Sequence, residues 1–158
     1  MKFNTDIFSQ FHEKWALLSA GSKENHNSMT ISWGGLGTLW SKPVATVYVK
    51  PIRHTYQFME KNEYFTISFY PEKYKLALNV MGSISGRNND KDKISGLTVK
   101  EVGKAVTYEE AEITLLCKKI YFQDMVRDTM PNDVIEQYYT KEEPHRMYVG
   151  EVIEVISK

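Results

Sequence analysis

Apolar residues recur at every second position over several stretches of this chain, and that period is what most narrows the folds open to it. Phe65, Ile67 and Phe69 alternate with Thr66, Ser68 and Tyr70. Ile113, Leu115, Cys117 and Tyr121 alternate with Thr114, Leu116, Lys118 and Ile120, and Val149, Glu151, Ile153 and Val155 with Gly150, Val152, Glu154 and Ile156. Successive side chains of extended backbone point to opposite faces, so each stretch reads as a strand that turns one face to a core. Residues 16–20, 29–33 and 44–50 have the same character, which gives about six strands.

Two helices interrupt them. Tyr74, Ala77, Leu78 and Met81 form one apolar stripe at helical spacing, on a helix that begins after Pro71 and ends before Gly82. Residues 55–61 form a shorter helix, with Thr55 available as its cap and Asn62 as its stop. Many strands, few helices and turn signals at Gly21-Ser22 and at 88–90 predict a small antiparallel barrel with helical inserts. At 158 residues the chain reads as one domain, 1–158, with a core large enough to need neither disulfide nor metal. No repeat, low-complexity segment or linker divides it.

Twenty basic and twenty acidic residues cancel, without a long run of either sign, so the chain has no electrostatic footprint for duplex nucleic acid or an anionic membrane. It has no apolar run of about 18 residues, and its start lacks the apolar stretch of a signal peptide. The lone Cys117, in mid-strand beside Leu115 and Leu116, forms no internal disulfide and reads as a buried small hydrophobe. The expected setting is the cytoplasm. His12, His26, His54 and His145 lack metal-ligand spacing, so no metal site is expected.

Four separated segments mix small hydroxyl residues with an aromatic ring or a cation, which suits a ligand with one flat apolar face and one dianionic end. They are Asn27-Ser28-Met29-Thr30-Ile31-Ser32-Trp33, Leu39-Trp40-Ser41-Lys42-Pro43, Lys50-Pro51-Ile52-Arg53-His54-Thr55-Tyr56 and Ser83-Ile84-Ser85-Gly86-Arg87-Asn88-Asn89-Asp90-Lys91. Ser85-Gly86-Arg87 offers a backbone amide, a hydroxyl and a guanidinium fork within three residues. Taken alone it reads first as a polar turn before a solvated charge cluster at 90–93. Arg53 and Thr55 stand at a helix start, where free amides and the helix dipole attract anions, although a surface arginine and an ordinary cap would look the same. On strand 29–33, Thr30 and Ser32 share one face and Met29, Ile31 and Trp33 the other. The polar face would reach the edge of a flavin-like ring, with Trp33 or Trp40 covering an apolar surface. Trp33-Gly34-Gly35-Leu36-Gly37 has neither the ending of a P-loop nor the spacing of a dinucleotide fingerprint.

With these residues the chain resembles the flavin reductase-like, FMN-binding split-barrel family, in particular its flavoredoxin branch. The matching text runs in order through Asn27-x-Met29-Thr30-x-Ser32-Trp33, Leu39-Trp40-Ser41-Lys42-Pro43, Arg53-x-Thr55-Tyr56 and Phe65-Thr66-Ile67-Ser68. It continues through Ser85-Gly86-Arg87-x-x-Asp90-Lys91, Ser95-Gly96-Leu97 and His145-x-Met147-Tyr148-x-Gly150-Glu151. The resemblance implies a homodimer of six-stranded antiparallel split barrels with FMN near the subunit interface. It sets Asn27, Met29, Thr30, Ser32, Trp33 and Trp40 around the ring and ribityl chain, and Arg53, Thr55, Ser85, Arg87 and Lys91 around the phosphate. Lys50 and Gly86 complete the cofactor-binding set.

The resemblance further implies an oxidoreductase carrying electrons from NAD(P)H through FMN to free flavin, a metal-bound acceptor or a redox protein. His145 matches the histidine that lies near the nicotinamide in many such reductases, but it follows Glu143-Pro144 where they have Gly-Asp. At its ordinary pKa that step would be pH-sensitive between about 6 and 8. The alternatives are an electron carrier reduced by a protein partner, and a flavin-binding module without turnover.

Overall fold

The computed structural model describes residues 1–158. Its strands are β1 (Ala16–Gly21), β2 (His26–Ile31), β3 (Gly34–Leu39), β4 (Lys42–Val49), β5 (Tyr64–Phe69), β6 (Val99–Val102), β7 (Ala105–Tyr108), β8 (Ile113–Asp124) and β9 (Arg146–Ser157). Seven of them form one sheet in the order β2-β1-β5-β8-β9-β4-β3, and β6 and β7 make a separate hairpin. Every pairing is antiparallel.

Met29 and Ile31, from one edge of the sheet, share a single core with Ala45, Val47 and Val49 of β4 near the other edge, and with Phe65, Ile67 and Leu115 between them. Strands so far apart in the order meet only if the sheet is rolled around its apolar face, which makes it a split barrel. Irregularities between Leu116 and Cys117 and between Lys119 and Tyr121, in the long β8–β9 ladder, help it to bend. Cys117 is buried at the centre of this core, and burial pushes its thiol pKa up.

The expected mainly β barrel is therefore present, with seven strands in its sheet where six were expected. The additional strand is β3, which pairs only with β4. Strand β5 lies between β1 and β8 and is buried from Phe65 to Phe69, so the aromatic stretch 64–70 packs inside the subunit and is not free to meet a second copy.

Five α-helices accompany the sheet: α1 (Ile7–His12), α2 (His54–Lys61), α3 (Lys75–Ser83), α4 (Lys91–Ser95) and α5 (Asn132–Tyr138). The predicted apolar stripe holds for α3, which buries Leu78 and Met81 in a second cluster with Leu17, Tyr70, Leu97 and Tyr108, but the helix does not end before Gly82 and runs on to Ser83. Asn62 does end α2, its amide Nδ2 donating to the Phe58 carbonyl at 2.9 Å. Thr55, however, is not its cap. Arg53 holds that position without a side-chain capping bond, and Thr55 is buried in the first turn, where its Oγ1 accepts from Asn27 Nδ2 at 2.8 Å. No helix is long and apolar enough to cross a membrane.

Candidate functional site

Three stretches far apart in sequence converge on one cavity of about 270 Å³: the start of β2, the turn into α2, and the segment from the end of α3 to α4. Asn27, Arg53, Thr55, Ser85, Gly86, Arg87 and Lys91 all line it, so seven of the candidate residues are brought together. The two turns brace one another. Arg53 Nη2 donates to the Gly82 carbonyl at 3.2 Å, and Arg87 Nη1 donates to the Ile52 carbonyl at 3.0 Å, each arginine reaching across to the backbone of the other's turn. Both guanidinium groups are thereby fixed with donors to spare, since each carries five N–H bonds.

Lys91 is held differently. Its side chain runs inward, is 6% exposed, and places Nζ 2.5 Å from the Ser28 carbonyl. The isolated reading of 90–93 as a solvated cluster therefore fails. Asp90 caps α4, accepting from the Lys93 amide at 3.1 Å, and Asp92 takes hydrogen bonds from Tyr108 at 2.6 Å and His26 at 2.6 Å. Those contacts pin the short helix against β2 and keep Lys91 pointing at the cavity. Burial pushes the Asp92 carboxyl up, but the bonds from His26 and Tyr108 outweigh it and leave the pKa below the usual value, so Asp92 is ionised.

The cavity is short of negative charge. Burial, with the Arg53 charge beside it, lowers the Lys91 pKa to about 8. Burial lowers that of Arg53, and burial with the charges of Arg87 and Lys91 lowers that of His54. The single carboxylate on the lining is Glu142, whose Oε2 is engaged at 2.7 Å by Lys50 outside the cavity. Gly86 is needed for room: a Cβ there would lie 2.1 Å from Asn27 Oδ1. His54 Nδ1, missed by the sequence reading, is buried without a hydrogen-bond partner.

The remaining candidates fall elsewhere. Met29 turns its side chain into the core, leaving only backbone for a ligand. Thr30 donates its hydroxyl to the Leu78 carbonyl and lines, with Ser32, a shallow groove beside the cavity. Lys50 donates to Glu142 and to the Tyr138 carbonyl at 3.2 Å and lies 5.4 Å from the Tyr139 ring centroid, under the segment that leads to His145. Trp40 stands at the tip of the β3–β4 hairpin, 61% exposed, edge-on to Tyr121. It shares no cavity with the cations.

Trp33 belongs to a third place, an aromatic cluster with Tyr138 at 5.2 Å and His145 at 5.5 Å between ring centroids. His145 Nδ1 lies 2.7 Å from the Tyr139 hydroxyl. Arg127 secures the segment by donating to the carbonyls of Tyr139 and Glu142. Burial, then the nearby Lys50 charge, pushes the His145 pKa down to about 4, so the imidazole is neutral at pH 6 to 8 and the expected titration in that range does not occur.

The sequence matches the model of the flavin reductase like domain over residues 8–158. Among solved structures, the fold is similar to flavoredoxin from Methanosarcina acetivorans at 20% identity and TM-score 0.74, covering 100% of this chain and 75% of that one. It is similar to flavoredoxin of Desulfovibrio vulgaris at 21% identity and TM-score 0.70, covering 91% and 69% of the two chains. An FMN-binding protein from Thermus thermophilus, crystallised with p-hydroxybenzaldehyde, aligns at 22% identity and TM-score 0.69, covering 94% and 75%. A search of curated proteins by sequence finds no match. With the family model spanning nearly all of its length, the chain belongs to the flavin reductase-like family.

Proposed function

We propose that the protein is an FMN-binding oxidoreductase whose Arg53–Arg87–Lys91 cavity holds the phosphate of the flavin nucleotide. The observation that carries this reading is the uncompensated positive charge of that cavity, with Lys91 lowered to about 8 by burial and by Arg53. A dianion would restore the balance and accept charge-assisted bonds from two guanidinium forks and an ammonium. The residues fit the group in other respects. Helix α2 begins at the cavity with no side chain capping it; the Tyr56 amide donates to the Arg53 carbonyl, which leaves the amides of His54 and Thr55 for an anion, and Gly86 leaves the space that a side chain would fill.

Bound FMN would supply the electron-transfer chemistry, which the protein's own side chains lack. The part played by the chain is to grip the phosphate, orient the ring and keep one face open. His145, neutral and hydrogen-bonded to Tyr139, is suited to orient an NAD(P)H donor through neutral hydrogen bonds. The electrons then pass to free flavin, a metal-bound acceptor or a redox protein. A cytoplasmic homodimer completes the reading, its pairing supported by apolar side chains left exposed on one subunit at Trp40, Phe122 and Ile153.

A second reading, an electron carrier reduced by a protein partner, is favoured by one feature: Glu143-Pro144 precedes His145, and Glu143 is paired with Arg127 at 3.5 Å. Rapid mixing of the FMN-loaded protein with NADH or NADPH separates the two. Fast bleaching of the flavin absorbance supports the reductase, and no bleaching with either nucleotide supports the carrier.

A further inference from the structure

A groove of about 260 Å³, lined by Trp15, Thr30, Ser32, Leu78 and Asn79, also touches Gly82 and Ser83, which belong to the wall of the cationic cavity. The two depressions therefore run together around the last turn of α3. Of the three tryptophans, Trp15 alone lines this groove; Trp33 packs on Tyr138 and Trp40 stands on its hairpin tip.

Trp15 is also strained. Its φ is +68°, in the left-handed region that a large side chain avoids because Cβ crowds the backbone there. The strain is held from two sides. Lys75, at the start of α3, sets its ammonium 3.8 Å from the centroid of the Trp15 rings and donates to the Glu13 carbonyl. The indole in turn packs against the cluster of Leu17, Tyr70 and Leu78. A glycine at this position would relieve the backbone, so a costly conformation is kept by a residue whose side chain reaches a ligand groove. Strain of this kind concentrates where geometry serves binding.

We propose that Trp15 is a ligand-binding residue: its indole forms the aromatic wall against which the flat ring system of the phosphate-bearing ligand rests, while the Ser32 hydroxyl and the acceptor side of the Thr30 hydroxyl address the polar edge of that ring. The assignment rests on the FMN reading above. It separates the two halves of recognition, with the cations gripping phosphate and Trp15 selecting a planar ring.

The test is FMN affinity, and inhibition of FMN binding by inorganic phosphate, in Trp15→Gly, Trp15→Leu and Trp15→Phe. Trp15→Gly and Trp15→Leu are expected to weaken FMN about tenfold or more, Trp15→Phe no more than about threefold, and the phosphate inhibition constant to stay within about twofold in all three. Should Trp15→Gly not fold, Trp15→Leu against Trp15→Phe carries the same comparison of ring with no ring. Wild-type FMN affinity in Trp15→Leu would overturn the proposal, as would equal losses of FMN and phosphate, which would make Trp15 a support of the fold. A wild-type protein that is inhibited by nothing because it binds no FMN would overturn the flavin reading itself, and this proposal with it.

Discussion

The cationic cavity and the aromatic cluster around His145 differ in how completely each satisfies itself. In the cavity, Arg53, Arg87 and Lys91 face one another with a single carboxylate on the lining, and that carboxylate is engaged elsewhere. In the cluster, the His145 imidazole is neutral, bonded to Tyr139 and flanked by Trp33 and Tyr48. A site left short of countercharge favours an anion, because keeping the Lys91 ammonium buried beside the Arg53 charge is unfavourable until an anion arrives. A satisfied aromatic cluster announces only that flat or apolar groups are welcome. The proposed phosphate site therefore stands on an excess of charge, and the proposed donor site on shape and neutral hydrogen bonds.

The sharpest way to break the contrast is to remove a cation. Arg87→Ala is expected to weaken FMN binding by about ten- to a hundredfold, the worth of one charge-assisted bond, while leaving riboflavin affinity and the fold unchanged. Fluorescence titration reads both, and unaltered FMN affinity would reduce the 85–87 segment to an ordinary turn. Next comes Gly86→Ala. The added methyl would meet Asn27 Oδ1 at 2.1 Å and force apart the Asn27–Thr55 bond, so about tenfold weaker FMN binding and a loss of about 1–3 kcal/mol in stability are expected from titration and denaturant melts.

A smaller effect lies in pH. Lys91 in the free cavity titrates near 8, and the anion prefers its charged form, so FMN affinity should fall as pH rises through about 8 and onward. Lys91→Arg, charged throughout, should flatten that limb. A wild-type affinity constant between pH 7 and 10 would mean that Lys91 does not face the phosphate.

The smallest expected effect concerns the other region. His145→Asn should slow flavin reduction by NAD(P)H by less than about tenfold, with FMN affinity and the pH dependence between 6 and 8 unchanged, because the wild-type imidazole is already neutral there. The same shift has a consequence for stability. From pH 6.5 down to about 4 the unfolded chain binds a proton at this histidine that the folded chain refuses, so folding loses stability as pH falls through that window. With His145 partly open to solvent the discounted loss is about 1 kcal/mol, and His145→Asn should remove it in acid melts.

Much of the barrel was legible because its strands keep one face apolar, and the periodicity at 65–69, 113–121 and 149–156 survives in β5, β8 and β9. Strand β3 was not, since Gly34-Gly35-Leu36-Gly37 has too few side chains to alternate, and its extended form is imposed by pairing with β4. The hairpin of β6 and β7 is four residues a strand, too short to show a period. Charged text misled for a related reason. Lys91 looks solvated beside Asp90, Asp92 and Lys93, and only the approach of β2, more than sixty residues away, gives its ammonium the Ser28 carbonyl and buries it.

Within the cavity, Arg53, Thr55, Ser85, Gly86 and Arg87 were readable because each turn sets hydroxyls, amides and a cation within a few residues. Glu142 was not, since its relation to Lys50 spans the chain and no neighbouring residue signals it. Trp15, on the adjoining groove, gave no signal because backbone strain leaves no mark in a one-letter code. Met29 and Trp40 stood in the right motifs, but one faces the core and the other a hairpin tip, which a motif cannot say.

The central claim, that the cavity grips a phosphate joined to a flat ring, is tested most directly by titrating the purified protein with FMN and with riboflavin, ligands that differ only in that phosphate. The account predicts FMN bound at least about a hundredfold more tightly, from two or more charge-assisted bonds. Equal affinity for the two would contradict it.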